Sequence, residues 1–417
     1  MKVVERHRID REHRWFKELD ELAFISKNIY NLCTYYMRQN FFEKGRTLLA
    51  RLTIKELYAL IKSTDAYKAL PAKVSNQVVK QIIHDWKAWK EAVIAYRQDT
   101  TKFLGEPKIP KYKHKALGRN LLTYDVQSIG QRGKNKNNGL LVLSQTNITV
   151  NTAAKDVIEV RVVPSTASYV VEVVFEKPVS LAELSLKLVA GIDLGLDNLA
   201  TLVSNKPGFR PILVDGKKLK SINQGYNKRK AHLQSKLAQG KHSSKQIQQI
   251  TYKRNKRVDN YLHLTSRLIV NRLVEEGIGK LVIGQNESWK QKIELEKKNN
   301  QNFVNIPHTK LIDTIAYKAQ LVGIEVVVTE ESYTSKTSFL DLEPVGKHES
   351  YQGRRVKRGL FKSAIGTLIN ADVNGAFNII RKVSGNEPFL EVSDRVEVFA
   401  VSPVRVSPVR KPTRKVS

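Results

Sequence analysis

The stretch Ala190-Gly191-Ile192-Asp193-Leu194-Gly195 decides how this chain is organised. It completes an apolar run that begins at Leu186, and such a run is typical of a buried strand. The strand ends near one carboxylate, Asp193, which lies between two glycines that allow another backbone to approach closely. Short apolar runs follow at 199–203 and 211–214, so we predict an antiparallel meander of three strands. A lone aspartate at a strand end is usually a turn or cap residue, so the rest of the chain must decide its role.

The composition indicates a polyanionic partner. The chain has 417 residues, enough for two or three domains, and its 71 Lys and Arg against 40 Asp and Glu give a net charge of +31. Such an excess repels itself unless a polyanion neutralises it, and nucleic acid is the obvious candidate. An acidic membrane is the rival, but we find no apolar run of about 18 residues and no signal-like terminus. We therefore expect no membrane partner and a cytoplasmic, nucleoid-associated protein.

A single cysteine, Cys33, excludes an internal disulfide and a cysteine-rich zinc site. It falls within a helical pattern of apolar residues, so we interpret it as a core residue.

The first part of the chain combines helical and strand patterns. Apolar residues recur at steps of three and four within 13–104, which predicts a helical module. The basic segment 105–115 contains Pro107 and Pro110 and cannot be helical. It suits contact with phosphates, and a solvated linker is the alternative. Strand-like runs then continue to 178, which predicts a small β-barrel of residues 1–12 and 105–180 with the helical module inserted after its first strand.

The part that follows Asp193 contains an unusual basic run. Residues 216–257 hold thirteen Lys and Arg and no Asp or Glu. A charge run is usually a solvated face, but one of a single sign repels itself, so we favour a polyanion lying against it.

Beyond this run we predict strands at 280–284 and 324–331, a helix from 307 to 323, and a last helix that starts near Asp372. The order β-β-β, helical run, β, α, β, basic insert, α is that of an RNase H-like fold. We therefore predict a multidomain α/β protein with such a nuclease domain at 181–334 and 366–383. Carboxylates on its central strand, a neighbouring strand and its last helix would converge, and they are ligands that suit Mg²⁺. Two such ions about 4 Å apart can activate water and stabilise the leaving oxygen of a phosphodiester.

Five stretches carry a family resemblance, in the order GIDLGLDNLATL, HLTSRLIV, LVIGQNESWKQ, ESYTSKTSFLD and NADVNGAFNII. Together they resemble TnpB, the transposon-encoded RNA-guided nuclease related to type V CRISPR effectors. The resemblance is strong over 186–381 and weaker over 1–178. It implies a split RuvC nuclease domain and an N-terminal wedge barrel with a helical recognition insertion. It also implies a guide RNA from the transposon end, a short motif beside the double-stranded target DNA, and Mg²⁺-dependent cleavage.

The resemblance also implies a catalytic site. Asp193 matches the first RuvC aspartate, and Asp372 matches the last, in the pattern D-x-N-A-A-x-N. Many members place the middle glutamate directly after the strand that here ends at Ile283, where this chain has Gly284.

We expect a relocated glutamate to complete the site. Glu331 is the first choice and Glu330 the second, because neighbours on a strand point to opposite faces. Glu287 is the third choice. Asp193, Glu331 and Asp372 are thus the expected catalytic residues and the ligands of two Mg²⁺ ions, with Mn²⁺ as a substitute.

The family often has four cysteines between the last strand and the last helix, and this chain has none there. We therefore expect no zinc. We expect the insert at 335–365 to be held by packing or by nucleic acid, and to bind target nucleic acid. Residues 384–417 are predicted to form a disordered basic tail. The residues expected to bind nucleic acid are basic apart from one tyrosine: Lys108, Lys111, Tyr112, Lys217, Lys218, Lys228, Arg229, Lys230, Arg254, Arg257, Lys336, Arg354, Arg355, Lys357 and Arg358.

Three functions are compatible with these patterns. The first is an RNA-guided DNA endonuclease encoded by an insertion sequence, in which guide pairing supplies sequence specificity. The second is a nuclease-inactive RNA-guided DNA-binding protein, for instance a repressor, and Gly284 motivates it. The third is a strand-transferring transposase. We find no His-hydrophobic-His pattern with a tyrosine nucleophile, which counts against the third.

Overall fold

The computed structural model describes residues 1–48, 52–130, 139–285, 306–390 and 400–409. The chain divides into two compact units, Met1–Lys177 and Pro178–Ser417. Both contain helices and sheets, so the predicted mixed α/β class is confirmed. None of the helices in the described ranges combines the length and the apolar character needed to cross a bilayer.

The first unit places its helices, in the chain, between its first and second strands. The helices are α1 (Phe16–Glu43), α2 (Ile54–Ile61), α3 (Asp65–Lys68) and α4 (Ala72–Gln98). The strands are β1 (Lys2–Asp10), β2 (Leu122–Asp125), β3 (Ile129–Gly130), β4 (Leu140–Leu143), β5 (Thr149–Asn151), β6 (Val157–Ser165) and β7 (Ser168–Glu176). They form a four-stranded sheet in the order β1-β7-β6-β2 and a three-stranded sheet in the order β3-β4-β5.

The helical periodicity of the first unit is confirmed at α1 and α4. Leu19, Cys33 and Met37 of α1 are buried in a core that includes Ile82 and Trp86 of α4. Burial raises the pKa of the Cys33 thiol to about 12, so the thiol stays protonated at neutral pH, as expected for a core residue.

The basic segment after α4 is extended, as its prolines predict, and it is tied to α1. Asn31 donates to the carbonyl of Lys113 at 2.9 Å and accepts its N–H at 2.8 Å. Lys27 Nζ donates to the carbonyl of Lys115 at 2.7 Å, and Arg38 donates to that of Pro110 at 3.0 Å. Because these α1 side chains hold its backbone, the segment is not a free linker.

The second unit is built on one large sheet. Its helices are α5 (Lys217–Gln234), α6 (Lys245–Glu275), α7 (His308–Gln320), α8 (Ala371–Ser384) and α9 (Glu387–Leu390). Its strands are β8 (Ser185–Leu194), β9 (Asn198–Ser204), β10 (Ile212–Asp215), β11 (Ile278–Gln285), β12 (Glu325–Glu330), β13 (Arg354–Lys357), β14 (Leu360–Lys362), β15 (Leu368–Asn370) and β16 (Val404–Val406).

The sheet order is β12-β11-β8-β9-β10-β16. β8, β9 and β10 pair antiparallel, which confirms the predicted meander, whereas β11 runs parallel to both β8 and β12. Helices α6 and α7 share one core with this sheet, and α8 belongs to a second core with Val189, Val203 and Val282. The β strands therefore lie between two helical layers, and the end of β8 that holds Asp193 lies beneath α8.

The close packing of α8 on β8 requires a glycine. A Cβ at Gly191 would lie 2.5 Å from the carbonyl oxygen of Ala376 and 2.6 Å from Cγ1 of Ile380. Both distances are shorter than van der Waals contact, so only glycine lets α8 lie at this height above the sheet.

The predicted disordered tail at 384–417 is wrong in part. Val404–Val406 forms an edge strand parallel to β10, and Phe389 is buried against Phe339 and Phe377. Prolines and a polar repeat suggested disorder, but the open edge of β10 supplies backbone partners to a short segment with alternating valines. Residues 391–399 and 410–417 lie outside the described ranges.

Candidate active site

Asp193 lies near the end of β8, opposite Thr201 of β9 and against the first turn of α8. A Cβ at Gly375 would lie 2.9 Å from its Oδ2, so this glycine makes room for the carboxylate. Burial raises the pKa of Asp193 well above its usual range, and the nearby carboxylates of Asp372 and Glu331 raise it further, while Arg355 opposes them. Asp193 is thus close enough to Asp372 and Glu331 for their negative charges to act on its carboxylate.

Asp372 is in the first turn of α8, which Asn370 caps. The Asn370 side chain accepts the N–H groups of Asp372 at 3.0 Å and Val373 at 3.3 Å. From the start of β9, Asn198 Nδ2 donates to Asp372 Oδ2 at 2.7 Å. The Oδ1 atom of Asn198 is buried and has no hydrogen-bond partner among the described residues. The helix cap and the strand amide therefore fix one oxygen of Asp372.

Glu331 follows the last residue of β12. Its Oε2 atom is buried and accepts no hydrogen bond from the described residues. Burial, and then the charge of Glu330, raise the pKa of Glu331 to about 7, while Lys382 opposes the shift. A buried carboxylate oxygen without a donor is costly, and a cation beside it would remove that cost.

Gly284 explains how Glu331 reaches this position. Gly284 pairs with Thr329 across the parallel strands β11 and β12. A Cβ at Gly284 would lie 3.1 Å from Oε2 of Glu331 and 2.5 Å from Cδ1 of Ile379. The Glu331 carboxylate therefore occupies the space where a side chain at 284 would begin. A glutamate at position 284 and Glu331 would therefore compete for the same space.

Glu330 and Glu287 do not share this position. Glu330 is exposed, and its Oε2 accepts a hydrogen bond from Lys382 Nζ at 2.7 Å. Partial burial would raise its pKa, but hydrogen bonds from Lys382 and Ser332 hold the pKa of Glu330 below its usual value. Glu287 lies outside the described residues. Of the three candidate glutamates, Glu331 is the one that the described residues place beside Asp193.

The two asparagines of the D-x-N-A-A-x-N pattern hold the turn after Glu331. Asn374 donates to the carbonyl of Thr337 at 2.8 Å and accepts the N–H of Phe339 at 2.8 Å. Asn378 donates to the carbonyls of Thr334 at 3.0 Å and Thr337 at 2.7 Å. The turn is therefore fastened to α8, the helix that also positions Asp372.

The insert before α8 is held by packing and by buried hydrogen bonds. Glu343 is buried and accepts the N–H groups of Ser338 at 2.8 Å and Gln352 at 2.9 Å. The buried Arg381 donates to the carbonyl of Glu343 at 2.7 Å. Phe361 contributes to the hydrophobic core that includes α8. Buried hydrogen bonds and packing therefore tie the insert to α8.

We expect Glu343→Gln to loosen the insert. Both Glu343 oxygens accept backbone N–H groups, and an amide would turn a donor toward one of them, at a cost of about 1–3 kcal/mol. A protease should cut Glu343→Gln faster than wild type within 335–365. The matched control Glu349→Gln changes an exposed glutamate, and the protease should cut it at the wild-type rate. Equal rates for both variants would show that the network does not hold the insert.

A cationic cleft of about 880 Å³ adjoins the carboxylates. Asn198 and Asp372 line it together with four cations, Lys217, Arg355, Arg358 and Arg405. Arg358 is paired with Asp197 at 2.7 Å, and Lys220 pairs with the same carboxylate. The cleft therefore places Asp372 among cations that suit a phosphate backbone.

The predicted nucleic-acid residues fall into several groups. Lys217, Arg355 and Arg358 line the cleft beside Asp372. Arg254 instead packs α6 on α5, because its Nε donates to Asn223 at 2.8 Å and burial lowers its pKa. The remaining predicted residues of the second unit are exposed, with Lys230 half-buried: Lys218, Lys228, Arg229, Lys230, Arg257, Lys336, Arg354 and Lys357. Lys108, Lys111 and Tyr112 are exposed in the first unit.

The carboxylates of Asp193, Glu331 and Asp372 are chemically suited to a divalent cation, but in this structure they are not arranged as a metal site. In the described ranges, no three His, Cys, Asp or Glu side chains stand together as a metal site. The chemistry nevertheless fits, because Glu331 Oε2 is buried without a donor and burial with neighbouring acids disfavours charge on Asp193. A divalent cation held by these hard oxygen donors would relieve both costs.

Two family models match the chain. One, described as "Probable transposase", covers residues 170–290, and one described as "Cas12f1-like, TNB domain" covers 308–379. A TnpB-like protein of Acidianus two-tailed virus is 24% identical over an alignment of 434 positions that covers 93% of this chain and 89% of that protein. The chain is similar to TnpB-like proteins. Asp193 lies in the first matched range, and Glu331 and Asp372 lie in the second.

Other likenesses are more partial or more distant. A TnpB-like protein of Methanocaldococcus jannaschii is 25% identical over 198 residues, covering 46% of this chain and 67% of that protein. A Cas12f1–sgRNA–target DNA complex matches at 13% identity and a TM-score of 0.37, over 90% of this chain and 98% of that one. The mini-RNA-guided endonuclease CRISPR-Cas_phi3 matches at 10% identity and a TM-score of 0.36, over 91% of this chain and 92% of that one.

Proposed function

We propose that this TnpB-like chain is an RNA-guided DNA endonuclease encoded by an insertion sequence. It would cut target DNA beside a short adjacent motif. The observation that supports this most strongly is the position of Glu331, whose carboxylate lies over Gly284, beside Asp193 and beneath α8. The acid that the motif position lacks is thus replaced by an acid from the neighbouring strand.

The proposed nuclease domain is RNase H-like, of the RuvC type, and comprises 181–334 and 366–383. Its support is the sheet order β12-β11-β8-β9-β10, in which β9 alone runs opposite to its neighbours, with α8 on one face. We further propose that 1–12 and 105–180 form a wedge barrel, that 13–104 form a recognition module, and that 335–365 bind target nucleic acid. Helices α1 to α4 lie between β1 and β2 in the chain, as such an insertion requires.

The proposed site assigns a role to each side chain. Asp193, Glu331 and Asp372 would hold two Mg²⁺ ions, or Mn²⁺, which when bound supply an activated water and neutralise charge on the leaving oxygen. Asn198 is a positioning residue, because its amide holds Oδ2 of Asp372. Arg355 and Arg358 would bind phosphates next to these acids.

The proposed partners are a guide RNA from the transposon end and double-stranded target DNA. A net charge of +31 and the exposed lysines of α5 support a polyanion bound along the second unit. Guide pairing would supply the sequence specificity, while the protein contacts backbone and reads the short adjacent motif.

The test is cleavage of a matched target DNA by the chain with its co-purified RNA and Mg²⁺. We expect cutting that requires both the RNA and the metal. Normal RNA and DNA binding without cutting by the wild-type chain would instead favour the nuclease-inactive repressor, for which Gly284 remains the motivation.

Asn198→Ala is expected to slow cleavage about tenfold and to raise the Mg²⁺ concentration needed for half-maximal rate. The reason is that Asp372 loses the donor that orients it, and residues that orient metal ligands typically affect affinity by 10–100-fold. The measurement is a Mg²⁺ titration of the cleavage rate at saturating RNA. A slower rate with an unchanged Mg²⁺ midpoint would show that Asn198 acts on stability and not on Asp372.

A further inference from the structure

The first unit contains an open cleft between α1, α4 and the extended segment 105–112, with a volume of about 750 Å³. We call it the Trp89 cleft. Its apolar surface comes from Phe41, Trp89 and Val93 on the helices and from Pro107 and Ile109 on the segment. A volume of this size is typical of sites for small organic groups.

The walls of the Trp89 cleft are tied together before any ligand arrives. Trp89 Nε1 donates to the carbonyl of Pro107 at 3.1 Å, which joins α4 to the segment. Its ring meets that of Phe41 edge to face at 5.4 Å. Arg38 of α1 donates to the carbonyl of Pro110 at 3.0 Å. A preformed cleft loses little conformational entropy on binding.

The rim of the cleft is strongly cationic. Arg38, Arg97, Lys108 and Lys111 line it, against a single carboxylate, Glu106. Among the described residues, Arg97, Lys108 and Lys111 form no ion pair, whereas nearby Lys87 and Lys102 do. Cations without counter-charges around an apolar floor favour a ligand that is both flat and anionic.

Tyr112 places an exposed aromatic ring at this rim. The residue is 48% exposed, and the guanidinium of Arg38 lies 5.3 Å from its ring centroid. Exposed aromatic rings and guanidinium planes are the surfaces on which single-stranded bases stack.

We propose that the Trp89 cleft takes one unstacked nucleobase of a single-stranded polynucleotide, with the flanking phosphates on Arg97, Lys108 and Lys111. A base that stays paired and stacked in a duplex cannot present its faces to this floor, so the site selects single strands. The inference rests on the proposed binding of nucleic acid and is independent of cleavage, because the whole cleft lies in the first unit.

The test uses the full chain and two short unstructured probes, an oligoribonucleotide carrying 4-thiouridine and an oligodeoxynucleotide carrying 4-thiothymidine. Both are irradiated with excess duplex DNA as competitor, and crosslinks are mapped by mass spectrometry. We expect crosslinks on peptides that contain Trp89 or Tyr112. The probe with the higher yield at these peptides identifies RNA or DNA as the source of the base.

Variants separate base stacking from phosphate binding. Tyr112→Ala should weaken binding of the base-containing strand about tenfold, without changing the salt dependence, and should not weaken binding of an abasic strand of equal length. Arg97→Ala should weaken both strands and lower the salt slope by about one. The matched control Tyr35→Ala removes a tyrosine of similar exposure, 47%, that does not line the cleft, and it should bind like wild type.

The proposal is overturned if crosslinks map only outside the cleft, or if Tyr112→Ala and Tyr35→Ala bind alike. It is also overturned if Tyr112→Ala weakens the abasic strand as much as the base-containing one. A chain that binds bases here but cuts no DNA would contradict the nuclease proposal and leave this one standing. A chain that cuts DNA but binds no base in the Trp89 cleft would contradict only the cleft proposal.

Discussion

Glu331→Gln is expected to reduce the cleavage of target DNA about 10²–10³-fold while RNA and DNA binding stay near the wild-type level. The substitution keeps the shape of the side chain, so its packing over Gly284 is retained. It removes the negative charge at an oxygen that is buried without a donor, where a fixed charge has a large effect on the transition state. The measurement is a single-turnover cleavage rate, with binding followed separately.

Glu330→Gln is the matched control, because it changes the adjacent residue on the opposite side of the strand. Glu330 is paired with Lys382 at 2.7 Å, so its loss removes one exposed ion pair and should change the rate by less than about threefold. Equal losses for the two variants, or normal cutting by Glu331→Gln, would exclude Glu331 as the relocated acid.

The second large effect is expected at Gly284. Gly284→Glu should abolish cleavage, because its Cβ would lie 3.1 Å from Oε2 of Glu331 and two carboxylates would compete for one space. Moving the acid back, with Glu331→Gly added to Gly284→Glu, should restore a large part of the rate. The exchanged pair also needs Ile379→Val, because Cδ1 of Ile379 would lie 2.5 Å from the new Cβ at position 284 and valine lacks that atom.

Three variants are compared: Gly284→Glu, the exchanged pair Gly284→Glu and Glu331→Gly with Ile379→Val, and Ile379→Val alone. Cleavage rates and melting temperatures are measured for each, so that loss of folding is separated from loss of the site. If the exchanged pair folds like wild type yet cuts no better than Gly284→Glu, positions 284 and 331 do not supply the same acid.

Local patterns predicted most of the secondary structure. Periodicity in steps of three and four found α1 and α4, because each buries one face along its whole length. Short apolar runs found β8 to β10, and the start of α8 beside Asp372 followed from the motif. The edge strand Val404–Val406 was missed, because its pairing depends on a strand nearly 200 residues earlier.

The choice among the glutamates shows where sequence reasoning stopped. Because successive side chains of a strand point to opposite faces, the sequence predicts that Glu330 and Glu331 lie on opposite sides. It does not predict which side faces Asp193. That depends on the register of β12 on β11 and on the position of Lys382 in α8. Asn198 was missed for the same reason, since its contact with Asp372 joins residues that are 174 positions apart.

The sequence by itself determined the order of β8 to β12 and α8 with the helices between them, the cationic character and the positions of the two motif acids, because periodicity, composition and short motifs are local properties of the chain. The tertiary structure alone decided that Glu331 fills the space above Gly284, that buried Glu343 and Arg381 hold the insert, and that the tail adds a strand. Each of these depends on distances between residues far apart in the chain, which only packing and strand register fix.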